Sequence, residues 1–248
     1  MSGTYRDRGI VLMSRPGLRD HDRLYSVFTE EHGKVSLVAS GSRRVGSKMA
    51  PHMATFGVVD LLVAHGKRVE RLAGASLVTT WREMSGSADA ALVVQTLFLA
   101  VDALTRPAVF EPRIFALLME FCEIVERGEM TGLLFQAALF RVFDVLGFGL
   151  ELGVCVQCRG VLSEQGNVLN MVRGGVVCGK CRDTVGMRVS VLAIKVLRFM
   201  RAEQLGYVGL LRVPEEVCRE VGFILEVMMN THVQWKFPAM VYFNRVTK

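Results

Sequence analysis

Four of the six cysteines fall into two matched pairs, Cys155-Val156-Gln157-Cys158 and Cys178-Gly179-Lys180-Cys181, with nineteen residues between them. A two-residue gap lets one tight turn present two sulfurs to the same ion. Two such knuckles facing each other complete a tetrahedron of thiolates, with metal–sulfur bonds near ~2.3 Å when the ion is zinc. Gly160, Gly166, Gly174 and Gly175 in the connecting segment suit a hairpin that would bring the knuckles together. The expected cofactor is one structural zinc per chain. Four cysteine ligands leave no open coordination position, so the ion would hold the fold and would not activate water. Two other cysteine chemistries fit less well. Disulfides belong to oxidising compartments, whereas the N-terminal MSGTYRDRGIV carries charges where a secretory signal is apolar. A thioredoxin-like centre uses a single pair opening a helix, and here two pairs sit among glycines. Cys122 and Cys218 lie in apolar helical stretches and read as buried, inert thiols.

The second set of chemistry-bearing residues is basic. Residues 1–82 hold thirteen Lys and Arg against seven Asp and Glu, while the remainder balances at seventeen of each, so the whole net charge of +6 comes from the first third. Such asymmetry points to an acidic polymer, nucleic acid before membrane, because no basic amphipathic helix accompanies the charge. The segment GSRRVGSK at 41–48 offers Arg43, Arg44 and Lys48 on a Gly/Ser backbone, a composition suited to phosphates. Lys67, Arg68 and Arg71 form another cluster, and Lys34 precedes the first. These seven are the candidate nucleic-acid-binding residues, with Tyr25, Phe28 and Phe56 as candidate stacking platforms.

No enzyme chemistry emerges. GSRRVGSK is not a P-loop, which needs Lys then Ser or Thr after the second glycine, whereas here Ser47 precedes Lys48. The five histidines show no metalloprotease spacing, and no nucleophile elbow or acid/base pair stands out. The chain is read as a non-enzyme with no small-molecule substrate.

These residues must be positioned by the surrounding elements. Short alternating runs at 9–13, 23–28, 34–39, 58–64 and 69–79 predict about five strands. Without helices between them, they suggest a small closed barrel, OB-type or SH3-like. After residue 85 the period changes to that of helices, at 88–105, 111–127, 131–146, 189–204 and 215–230. The apolar stretch 88–104 is interrupted by Gln95 and Asp102, too soon for a membrane span. The expected class is α+β multidomain: an OB-type barrel at 1–82, then a helical domain at 83–248 with a zinc-binding insertion at about 150–188.

The order of basic barrel, helices, four-cysteine insertion and helices resembles the bacterial recombination mediators of the RecO family. The likeness is carried by Arg8-Gly9-Ile10-Val11-Leu12, by Phe28-Thr29-Glu30-Glu31-His32-Gly33-Lys34 running into Gly41-Ser42-Arg43-Arg44, and by Phe143-Asp144-Val145-Leu146-Gly147-Phe148 leading into Cys155 and Cys158. The chain departs from the family pattern at Arg19-Asp20-His21-Asp22, before the second strand. The resemblance implies an OB-fold and work in DNA repair and homologous recombination after DNA damage, within the SOS response. It also implies binding and annealing of single-stranded DNA, partnership with RecR, and help in loading RecA onto DNA coated by single-strand-binding protein. It further implies a bacterial cytoplasmic, nucleoid-associated location. A different reading of the same residues is a zinc-stabilised protein–protein scaffold that binds the acidic C-terminal tail of single-strand-binding protein and has little direct affinity for DNA.

Overall fold

The computed structural model describes residues 3–44, 46–47, 49–53, 56–66, 69–107, 109–181 and 185–233, and the chain divides into two compact units, Met1–Gly128 and Glu129–Lys248. In the first unit, β1 (Thr4–Pro16), β2 (Arg23–Thr29), β3 (Gly33–Ala39), β4 (Gly57–Ala64) and β5 (Glu70–Thr80) close into a barrel in the order β1-β2-β3-β5-β4. Alternation sends Tyr25 and Val27 of β2, Val35 and Leu37 of β3, and Val59, Leu61 and Val63 of β4 into one core, joined by Met53 from the β3–β4 connection. β1 serves two partners. Its first half pairs with β4 and its second with β2, and a bulge between Val11 and Met13 marks the change. All pairings are antiparallel except β3 with β5, which meet in parallel through Leu37↔Glu70 and Val38↔Arg71. Five strands closed in this order form the small barrel that alternation predicted.

Turns at the start of β1 are bound together by aromatic and polar contacts. The Tyr5 ring lies 4.3 Å from that of His32 and 5.3 Å from that of His65. His32 Nδ1 is 2.6 Å from Asp7 Oδ2, and His65 Nδ1 is 3.1 Å from Glu70 Oε1. Burial, aided by the charges of Glu70 and Asp7, pushes the Tyr5 phenol up to about 12, so it stays protonated. Gly33 closes the β2–β3 turn at φ +65°, where a Cβ would come within 2.0 Å of the Val109 carbonyl oxygen, so no other residue fits.

Helices α1 (Arg82–Gly86), α2 (Ala88–Leu104) and α3 (Pro112–Glu126) complete this unit. The Ser87 side chain caps α2 by accepting from the Ala90 amide. The Glu126 carboxylate accepts the amides of Arg82, Glu83 and Met84, capping α1 from the end of α3. α2 packs on β1, where the Gln95 amide donates to the Leu12 carbonyl at 3.0 Å. Further along the helix, Asp102 accepts the Ser26 hydroxyl, and the Lys34 ammonium donates to its main-chain oxygen at 2.5 Å and lies 3.6 Å from its Oδ1. Asp102→Ala should therefore cost about 2 kcal/mol, less than loss of a wholly buried pair because the main-chain acceptor survives. Chemical denaturation measures this, and Asp102→Asn, which keeps an acceptor, should recover part of it.

The second unit is built on α4 (Gly132–Val145), whose Leu133 to Phe140 are all buried. α5 (Val191–Ala202), α6 (Leu205–Leu210) and α7 (Glu215–His232) pack against it. The Gln136 side chain donates to the Cys218 carbonyl at 2.9 Å. Arg201 makes two bonds to the Asp144 carboxylate, at 2.7 and 2.8 Å, and one to the Leu150 carbonyl, fastening the exit of α4 to α5. Between α4 and α5 lies a small sheet of β6 (Val168–Asn170), β7 (Gly175–Val177) and β8 (Met187–Arg188), in the order β7-β6-β8. Cys122, on α3 of the first unit, is fully buried and its thiol is pushed well up by burial, whereas Cys218 on α7, expected to be buried as well, is only half-buried because its stretch of the helix lies near the surface. Among the described residues, no helix is long and apolar enough to cross a membrane.

Candidate metal centre and nucleic-acid interface

The two cysteine knuckles are brought together by main-chain hydrogen bonds. In the first, the Arg159 amide donates to the Cys155 carbonyl and the Cys155 amide to the Gly160 carbonyl, both at 2.9 Å, with Arg159 held at φ 59°. In the second, the Cys181 amide donates to the Cys178 carbonyl at 3.0 Å. The β6–β7 hairpin delivers the second knuckle to the first: the Val156 amide donates to the Val176 carbonyl, and Glu151 exchanges bonds with Gly174 and Val176.

The sulfurs of Cys155, Cys158, Cys178 and Cys181 all lie within 4.8 Å of one another, with Cys158 and Cys178 at 3.9 Å. Sulfurs placed about 2.3 Å from a tetrahedral metal are separated by roughly 3.8 Å, so the cluster fits a metal ion. At 3.9 Å, Cys158 and Cys178 are too far apart for a disulfide bond, and all six cysteines are free. Burial opposes ionisation of Cys155, yet the amides of Cys178, Cys158 and Gln157 directed at its sulfur outweigh it and bring the thiol down to about 6. Cys181 is pushed up to about 12, first by its hydrogen bond with Cys158 and then by burial. Main-chain donors thus favour negative charge on Cys155, while the neighbouring sulfurs disfavour it on Cys181, an opposition that a bound cation would relieve. Residues that could hold a metal ion are these four, and four sulfur ligands would leave no open coordination position on it.

The basic residues are distributed less simply than their sequence clusters suggest. The β3–β4 loop docks on the β1–β2 loop: the Gly41 amide donates to Asp22 Oδ1 at 2.9 Å, the Arg43 amide to the His21 carbonyl at 3.0 Å, and the Arg43 guanidinium to the Asp20 carbonyl at 3.1 Å. Asp20, His21 and Asp22 are therefore the support of the basic loop. Arg43 and Arg44 are exposed on it. Arg71 is exposed on β5, and its pairing with Val38 sets it beside the end of β3 that feeds the loop. Lys48, Lys67 and Arg68 lie outside the described residues.

Lys34 has to be removed from the phosphate-binding set. Only 10% of its side chain is exposed, and its charge is engaged by Asp102. Tyr25 and Phe28 are not platforms either, since both are buried and Tyr25 belongs to the barrel core. Phe56 is half-buried. Two arginines were passed over. Arg15 and Arg23 are exposed near the open ends of β1 and β2, and Arg23 pairs with Ala39 where the basic loop begins. The excess charge of the first 82 residues included them, but only strand register places them next to that loop.

Comparison with known proteins divides the chain at the end of the barrel, ahead of the boundary between the two compact units. Residues 1–81 match the family model described as Recombination protein O N terminal, and residues 90–240 match Recombination protein O C terminal. A DNA repair protein RecO of Frankia casuarinae is 28% identical over 97% of this chain and 98% of its own length. That of Roseiflexus sp. is 25% identical over 96% of this chain and 84% of its own length. That of Synechococcus sp. is 32% identical over 78% and 71%. The two matches run in order through the barrel and then through the helices with their cysteine cluster, and the chain belongs to the RecO family of DNA repair proteins.

Proposed function

We propose that this chain is a recombination mediator whose barrel binds single-stranded DNA through its phosphates, promotes pairing of complementary strands, and helps load RecA onto DNA coated by single-strand-binding protein. RecR and the acidic tail of single-strand-binding protein are its proposed protein partners. The bacterial nucleoid is its proposed place of work. The observation that carries the reading is the set of exposed arginines, Arg43, Arg44 and Arg71 with Arg15 and Arg23, around the loops and strand ends of an OB-type barrel. Lys48, Lys67 and Arg68 join them by sequence. Side chains of this kind neutralise phosphates without reading bases, so binding should be independent of sequence and should weaken steeply with salt. A surface that screens two strands at once lowers their repulsion and so favours annealing. The proposed metal is zinc, acting as a scaffold for the second unit.

Binding to labelled single strands across a salt series, with annealing followed in the same preparation, tests the proposal. Salt-sensitive binding with faster annealing is expected; failure of both would sink it. A scaffold reading draws on a separate observation, the exposure of Tyr207 and Leu210 on α6 and of Phe223 on α7. It predicts weak DNA binding beside firm binding of an acidic peptide with an apolar end.

A further inference from the structure

The outward side of the β1–β2–β3 face carries a pocket of about 160 Å³. Leu24 and Pro107 supply apolar lining, Ser26 and Ser36 supply hydroxyls, and the Lys34–Asp102 pair supplies charge. Exposed Arg15 also lines it. Alternation produces this arrangement: Tyr25, Val27, Val35 and Leu37 point into the barrel core, so Leu24, Ser26 and Ser36 point out. The end of α2, through Asp102, and the segment after it, through Pro107, then bound the pocket.

Size and position narrow the occupant. Pockets for whole drug-sized ligands run to roughly 300–1,000 Å³, so this one has room for a single ring system without its sugar and phosphate. It lies on the face that OB-type barrels present to oligonucleotides. Its lining offers hydroxyls, a carboxylate and an ammonium group for the polar edge of a ring, and apolar surface for the ring's faces. Lys34, withdrawn from phosphate binding by Asp102, becomes part of this lining. We propose that the pocket takes one nucleobase, turned out of a single strand whose phosphate lies against Arg15. The inference rests on the single-strand-binding reading above and adds a site where a base, not only a phosphate, is held.

The test compares binding of the full chain to a single-stranded oligonucleotide and to a wholly abasic oligomer of equal length and phosphate number. The base-bearing strand should bind about fivefold more tightly or better, as burial of roughly 40 Å² of apolar ring surface implies. Ser36→Leu, which fills the pocket from a half-buried position, should bring that ratio close to one while leaving the salt dependence of binding unchanged, because no phosphate contact is lost. A fluorescent 2-aminopurine in the strand gives a second readout on the unmodified chain. Its emission should rise on binding as the base leaves its stacked neighbours. Equal affinity for the two strands, or a Ser36→Leu variant that keeps the unmodified ratio, overturns the pocket and leaves phosphate binding standing. So does 2-aminopurine emission that fails to rise. Absence of binding to either strand would instead remove the reading on which the pocket rests.

Discussion

Stripping metal from the chain is expected to unfold the segment 150–188 while the barrel keeps its structure. The apolar core around the cysteines is very small, comprising Cys155, Val177 and Cys178 with Val156, Leu162 and Cys181 packed against them. Even with Leu150, Leu152, Val168, Leu169 and Val176 also buried, so few apolar side chains fall short of offsetting the entropy of ordering nearly forty residues. Zinc binding to four-ligand peptides supplies an apparent ~10–16 kcal/mol at neutral pH, and in such small modules that energy is folding energy. The cost of metal loss should also spread to α5. The Arg198 guanidinium donates to the carbonyls of Leu152 and Gly153, and the Arg201 guanidinium to that of Leu150, so these acceptors lose their fixed positions when the module opens. Cys155→Ser should act like chelation, since Cys155 is fully buried and accepts the Cys178 amide. Amide exchange, followed peptide by peptide with and without chelator, reads the result. Unchanged protection in 150–188 after measured metal release would show that the cysteine cluster holds itself together.

The second large effect is expected from Arg43→Ala/Arg44→Ala. If both guanidiniums lie on phosphates of a single strand, their loss should reduce the slope of log affinity against log salt by about 1.4, at roughly 0.7 per phosphate contact. Affinity near physiological salt should fall about tenfold or more, by the same counterion argument. The Arg43 guanidinium also holds the Asp20 carbonyl, so a loss could come from loosening the loop instead of from lost charge. Arg43→Lys/Arg44→Lys separates these causes, because it preserves charge while removing the planar donor that reaches Asp20. Recovery of the slope in the lysine variant assigns the effect to charge. An unchanged slope in the alanine variant would take both residues out of the interface.

Strand and helix positions were legible in the sequence because their periods are strong. The alternation of Tyr25 and Val27, and of Val35 and Leu37, placed β2 and β3 within a residue or so of their ends. β1 proved longer than its apolar run, since Tyr5-Arg6-Asp7-Arg8 reads as loop until its pairing with β4 is known. β6, β7 and β8, of two or three residues, and the six-residue α6 are too short to show any period. The cysteine set was visible because its geometry is local, two turns with two sulfurs each. The basic site was only half visible. Whether a lysine meets solvent or a carboxylate is decided by chain far away, and Asp102 lies 68 residues from Lys34. Likewise, composition counted Arg15 and Arg23 but could not place them, because strand register is a property of the closed barrel.

The thin seam between β3 and β5 also bears on how the chain is made. Among the described residues two pairs close the barrel there, and the edge of β3 is met again at Lys34 by a parallel bridge from Pro107. During synthesis, Pro107 leaves the ribosome well after β5, so for a time all five strands exist while that edge lies open to other chains. A nascent chain halted at the end of β5 would have its sheet but not the segment that shields it. The connection from α2 to α3 thus acts as the barrel's closing clasp, and it is made only after every strand that it secures.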